Sequence, residues 1–130
     1  MNSQSQNVVL DASAVLALLN GEPGADAVKA EIDRAVISAV NLSEVVAKLT
    51  EAFTAEESQA TVTSLGLPII AFDDAQAYMA GVLRPLTRAA GLSLGDRACL
   101  ACAQALGAPV LTTERVWGNL SVGVQIRLIR

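Results

Sequence analysis

Four acidic residues stand where a short apolar run gives way to a predicted helix or turn. They are Asp11 after "VVL", Glu44 after "AVISAV", Asp96 at the start of "SLGDRACLACAQALG", and Glu114 after "APVLTT". Each has a local explanation. Asp11 suits a helix N-cap, Asn41-Leu42-Ser43-Glu44 and Ser93-Leu94-Gly95-Asp96 both have capping-box spacing, and Glu114 favours the positive end of a helix dipole. Capping requires no convergence, whereas parallel strands in one sheet would bring all four to the same edge. Carboxylates a few ångströms apart raise one another's pKa unless a cation neutralises them. An oxygen-only donor set favours a hard ion such as Mg²⁺ or Mn²⁺. Such an ion activates water and steadies charge on a phosphoryl oxygen, so the chemistry in view is phosphodiester hydrolysis.

Composition narrows the field. The chain has no histidine, which removes imidazole-based nuclease, triad and metal mechanisms together. Its net charge is −4 and its aromatic content 3%, so it lacks the basic, stacking surface of a typical nucleic-acid-binding module. Contact with phosphodiesters would then run through bound metal. Arg97 and Arg115, beside proposed ligands, are candidate phosphate contacts, with Arg84 and Arg88 further candidates; solvated surface charge is the plain alternative for all four. Cys99 and Cys102 fall in a helix body and read as buried thiols rather than a redox or zinc pair. No run reaches the roughly 18 apolar residues of a membrane span, and "MNSQSQN" lacks a basic signal start. The expectation is a cytosolic protein, not a membrane one, with a frayed start over residues 1–6.

The elements that must position these acids follow from periodicity. "VVL", "AVISAV", "PIIAF" and "APVLTT" read as short buried strands, and the alternating tail "VGVQIRLIR" as an edge strand. Helical patterns separate them. "ASAVLALLN" ends at Gly21, "GADAVKAEIDR" presents Ala27, Val28 and Ile32 on one face, and "NLSEVVAKLTEAF" runs on through "AEESQATVTSLG" to Gly66. "DDAQAYMAGVLRPLTRAAG" bends at Pro85, and "SLGDRACLACAQALG" stops at Gly107. With 52% hydrophobic and 17% charged residues, 130 residues suit one domain. The predicted class is α/β: three layers around a central, mainly parallel sheet of four to five short strands.

"VVLDASAVLALL", "NLSEVVAKL", "LSLGDRACLACAQ" and "VLTTERVW" closely resemble, in order and spacing, the motif blocks of PIN-domain ribonucleases, particularly VapC toxins of type II toxin–antitoxin pairs. The resemblance covers nearly the whole chain. It implies a PIN-like α/β/α fold, commonly a homodimer, and a Mg²⁺- or Mn²⁺-dependent endoribonuclease site acting on RNA. Asp11, Glu44 and Asp96 match the family's three acidic metal-site residues. Ser13 matches a small hydroxyl residue near the site, and Thr112 and Thr113 lie where a polar residue accompanies the fourth acid. That acid is usually aspartate; Glu114 carries one more methylene, which moves the carboxylate by about 1.3–1.5 Å. Trp117 falls at the family's tryptophan position and reads as core packing. The resemblance further implies a cognate antitoxin protein, whose C-terminal segment places a basic side chain among the carboxylates.

Other early-aspartate families fit less well. A haloacid-type phosphatase needs a second aspartate where this chain has Ser13. A receiver domain needs an early acidic pair, whereas Asp73-Asp74 lie far on, and a dinucleotide fold needs a glycine fingerprint that "DASAVL" lacks. The serious alternative is a catalytically weak or inactive PIN-like scaffold acting as a binding or regulatory subunit. Degraded acid positions would signal it, and all four positions here are acidic. Without histidine to activate a 2′-hydroxyl, the expected products are a 5′-phosphate and a 3′-hydroxyl.

Overall fold

Val8, Val9 and Leu10 form strand β1 (Val8–Leu10), and all three are buried because this strand has no solvent side. The computed structural model describes residues 6–130; residues 1–5 of the expected frayed start lie outside the described residues. The remaining strands are β2 (Ala35–Ser38), β3 (Ile69–Ile70), β4 (Val110–Thr112) and β5 (Ile126–Leu128). They form one sheet in the order β3-β2-β1-β4-β5 with every pairing parallel, Val9 standing opposite both Val36 and Val110. Alternation along β1 splits the core. Val8 and Leu10 pack with α1 (Ala12–Asn20), α2 (Ala25–Ala30), α3 (Ala39–Leu49) and α4 (Ala55–Thr63). Val9 packs on the other face with Leu83, Cys99, Leu100 and Trp117. That face carries α5 (Asp74–Val82), α6 (Arg84–Thr87) and α7 (Leu94–Leu106), which completes the expected three-layer α/β/α architecture.

Several local expectations are met. Gly21 and Gly107 close α1 and α7 in the left-handed conformation, at φ 64° and 62°, where a Cβ would be strained. The helical segment around Pro85 breaks at Leu83, β5 is an edge strand, and Trp117, Cys99 and Cys102 are buried. Three expectations are corrected. The helix after β2 begins at Ala39, not near Asn41, because the Ser38 side chain takes the N-cap by accepting from the Val40 amide at 3.2 Å. The next helix does not run on from it. Thr54 and Glu57 form a reciprocal capping box that starts α4 afresh. In α2, Val28 is buried but Ala27 is exposed, and Ile32 belongs to a separate 3-10 turn. Among the described residues no helix is long and apolar enough to cross a membrane.

Candidate active site

The sheet grows from β1 in one direction through β2 and β3, and in the other through β4 and β5. The carboxyl ends of β1 and β4 therefore flank the topological switch point, the usual crevice for ligands in open parallel sheets. Asp11 follows β1 directly and Thr112 ends β4. Asp11 is 3% exposed, caps α1, and receives three hydrogen bonds. The Ala14 amide and the Ser13 hydroxyl donate to Oδ1 at 2.8 and 2.7 Å, and the Thr112 hydroxyl donates to Oδ2 at 2.5 Å. The two hydroxyls also accept backbone amides, Ser13 from Thr113 at 3.0 Å and Thr112 from Glu114 at 3.0 Å. Asp11 thus fastens the end of β4 to the start of α1. Burial pushes its carboxyl up to about 6, against the lowering effect of Thr112, Ser13 and Ala14, and the Glu114 charge adds a small further rise.

Glu44 lies in the second turn of α3, so it caps nothing. Its Oε1 accepts from Asn41 Nδ2 at 2.8 Å, and the same nitrogen donates to the Gly95 carbonyl of α7 at 3.1 Å. Asp96 does cap, as its spacing predicts: the Ser93 amide donates to Asp96 Oδ2 at 3.0 Å and the Asp96 amide to Ser93 Oγ at 3.2 Å. Asp11, Asp96 and Glu44 all lie close enough to the buried Cys99 for their charges to act on its thiol. Burial drives that thiol well above its usual range, and Asp11, Asp96 and Glu44 each push it further, along with Cys102. Glu114, exposed at the end of β4, reaches the group through its charge on Asp11. Convergence at the edge does not extend to the side-chain tips. Among the described residues no three acidic, cysteine or histidine side chains stand together as a ready metal cage, because Asp96 is turned to its cap and Glu44 to Asn41.

Arg97 is a correction. It is 9% exposed, and its Nη1 donates to the Ala80 carbonyl of α5 at 2.9 Å, so it tethers two helices rather than facing a phosphate. One step along a helix turns a side chain by about 100°, which carries Arg97 away from the edge that its neighbour Asp96 faces. Arg84, Arg88 and Arg115 are exposed. Asn41 and Gly95 are the residues that reading the sequence as a capping box missed; the asparagine three residues before Glu44 and the glycine before Asp96 were the available signals.

A PIN domain family profile matches residues 8–121. Comparison with curated protein sequences gives no match. Among solved structures, the chain is similar to DNA-bound VapBC from Salmonella typhimurium (TM-score 0.76, 19% identity, covering 96% of this chain and 99% of that one). It is also similar to a toxin–antitoxin complex from Klebsiella pneumoniae (0.77, 20%, 95% and 98%) and to FitAcB from Neisseria gonorrhoeae (0.70, 15%, 94% and 97%). At these identities the likeness establishes a shared fold. The profile match, which runs from β1 past Glu114 and takes in all four acids, goes further: this chain belongs to the PIN domain family.

Proposed function

We propose that this PIN domain is a metal-dependent endoribonuclease, the toxin of a toxin–antitoxin pair. The observation that carries the reading is Asp11, a buried carboxylate held by three donors at the switch point and charged only at a cost. A cation offsets that cost, and the residues around it fit a hard one, since carboxylates and hydroxyls at the edge supply oxygen and the nearest thiol, Cys99, is held protonated by burial. Asp11, Glu44, Asp96 and Glu114 would hold Mg²⁺ or Mn²⁺. Bound there, the ion would supply Lewis acidity toward the phosphoryl oxygens and an acidified water.

The chain's own residues do the positioning. Ser13 and Thr112 fix both oxygens of Asp11 in one orientation, and the Thr113 amide holds Ser13 in turn. Asp96 commits Oδ2 to its cap, so Oδ1 is the oxygen it would offer an ion. Arg115, exposed one residue after Glu114, is the proposed phosphate contact in place of Arg97. The similarity to toxin–antitoxin complexes supports an antitoxin partner; an arginine from it would neutralise the acids that a metal otherwise does. Exposed Tyr78, Val82 and Leu86, at four-residue spacing across α5 and α6, support a homodimer through that face. Sedimentation equilibrium should give twice the chain mass, and a monomer at all concentrations contradicts it.

The function has a direct test. The purified chain, free of any partner, should cleave RNA with Mg²⁺ or Mn²⁺ to 5′-phosphate and 3′-hydroxyl ends, stop on addition of chelator, and arrest growth when expressed alone. Cleavage that survives chelation contradicts the metal role. No cleavage of any RNA with either ion leaves the scaffold reading.

A further inference from the structure

Gly95 is buried in the first turn of α7, yet it is not among the glycines with positive φ, so its backbone does not call for glycine. The Glu44 carboxylate does. A Cβ at position 95 would overlap Glu44 Oε2 and stand 2.5 Å from Cδ and 2.7 Å from Oε1. The carboxylate therefore lies against the bare Cα of a helix from the opposite face of the sheet. Asn41, 1% exposed, holds the other oxygen of the same carboxylate, with Nδ2 shared between Glu44 Oε1 and the Gly95 carbonyl. Both neighbours are acceptors, so only the amine end of Asn41 can face them. Among the described residues its Oδ1 has no partner although buried, a cost that native interiors seldom tolerate without a purpose.

We propose that Asn41 and Gly95 form a clamp that sets the Glu44 carboxylate for divalent-ion binding, Asn41 as a positioning residue and Gly95 as the space the carboxylate occupies. The proposal rests on the metal-centre reading above. A structural glycine would be replaced at the expense of the fold. Here the obstructing group is the free end of a flexible side chain, so alanine displaces the carboxylate and leaves α7 in place.

Titration of the full chain with Mn²⁺ by calorimetry, beside its metal-free melting temperature, separates the possibilities. Gly95→Ala and Asn41→Leu should each weaken Mn²⁺ binding by about 10–100-fold, the usual cost of losing a partner behind a metal ligand. Gly95→Ala should leave the metal-free melting temperature unchanged or raised, and should add no further loss of affinity to Glu44→Gln. If Gly95→Ala binds Mn²⁺ like the wild type while Glu44→Gln binds weakly, the clamp is overturned and the metal centre stands. Lost affinity matched by a lowered melting temperature in Gly95→Ala also overturns the clamp. A wild type that binds no Mn²⁺, or one whose affinity survives both Glu44→Gln and Asp11→Asn, overturns the metal centre and the clamp together.

Discussion

Asp11→Asn is expected to abolish cleavage while leaving a folded protein whose stability depends less on pH. In the native chain, burial raises the Asp11 carboxyl from 3.8 to about 6, so the folded state binds this proton more tightly than the unfolded one. The resulting stabilisation is fully present below pH 3.8 and is lost as pH rises through about 6. The gap corresponds to roughly 3 kcal/mol, a large share of a small domain's stability. Asparagine carries no such charge and caps a helix as well as aspartate does, so Oδ1 can still accept from Ala14 and Ser13. The metal-free variant should therefore melt at or above the wild-type temperature at pH 7.5 and show a flatter profile between pH 4 and 7. Cleavage should fall by at least about a hundredfold, the scale of removing one preorganised electrostatic group from a reacting centre. Melting curves across that range, with cleavage rates at pH 7.5, check both halves. A variant that still cleaves within a few-fold of wild type removes Asp11 from the centre.

The two roles of Asp11 show where reading a sequence succeeds and where it stops. Capping and a place at the sheet's carboxyl edge looked like rival accounts, yet Asp11 and Asp96 cap their helices while their charges also act on the buried Cys99. β1, β2 and β4 were legible because each is a short apolar run buried on both faces; β3, expected to be buried too, is a two-residue edge strand with Ile69 54% exposed. Their spatial order was not, since it depends on which way each crossover passes, and the switch point between β1 and β4 follows from that order alone. Ser38 was hidden inside "AVISAV", a run whose composition is all strand, so the helix start moved to Asn41 and Glu44 gained a cap role it does not have. That displacement concealed the amide bridge to Gly95. Arg97 was misplaced for a different reason: adjacency to Asp96 in sequence suggests one edge, whereas helical rotation sends the two side chains apart.

Thr112→Val should destabilise the fold, and more so in alkali than in acid. Thr112 is fully buried; its hydroxyl donates to Asp11 Oδ2 and accepts the Glu114 amide, so an isosteric valine leaves an anionic acceptor and a backbone donor unpaired. Two such losses cost about 2–5 kcal/mol. The Thr112 bond is also the largest influence lowering the Asp11 pKa, so without it the carboxyl rises further above its ordinary value. Protonation then relieves part of the penalty at low pH, and the full penalty appears once Asp11 is forced to ionise. Denaturant midpoints at pH 5 and pH 8 should consequently diverge more for Thr112→Val than for wild type, and Thr112→Ser, which keeps the hydroxyl, should restore the wild-type difference. Mn²⁺ affinity at pH 7 should fall in the valine variant and recover in the serine one, because the ion must compete with a proton held more tightly. If the valine variant loses stability equally at both pH values, Thr112 only packs the end of β4, and the ionised state of Asp11 is set by something other than the hydroxyl that joins the two strands.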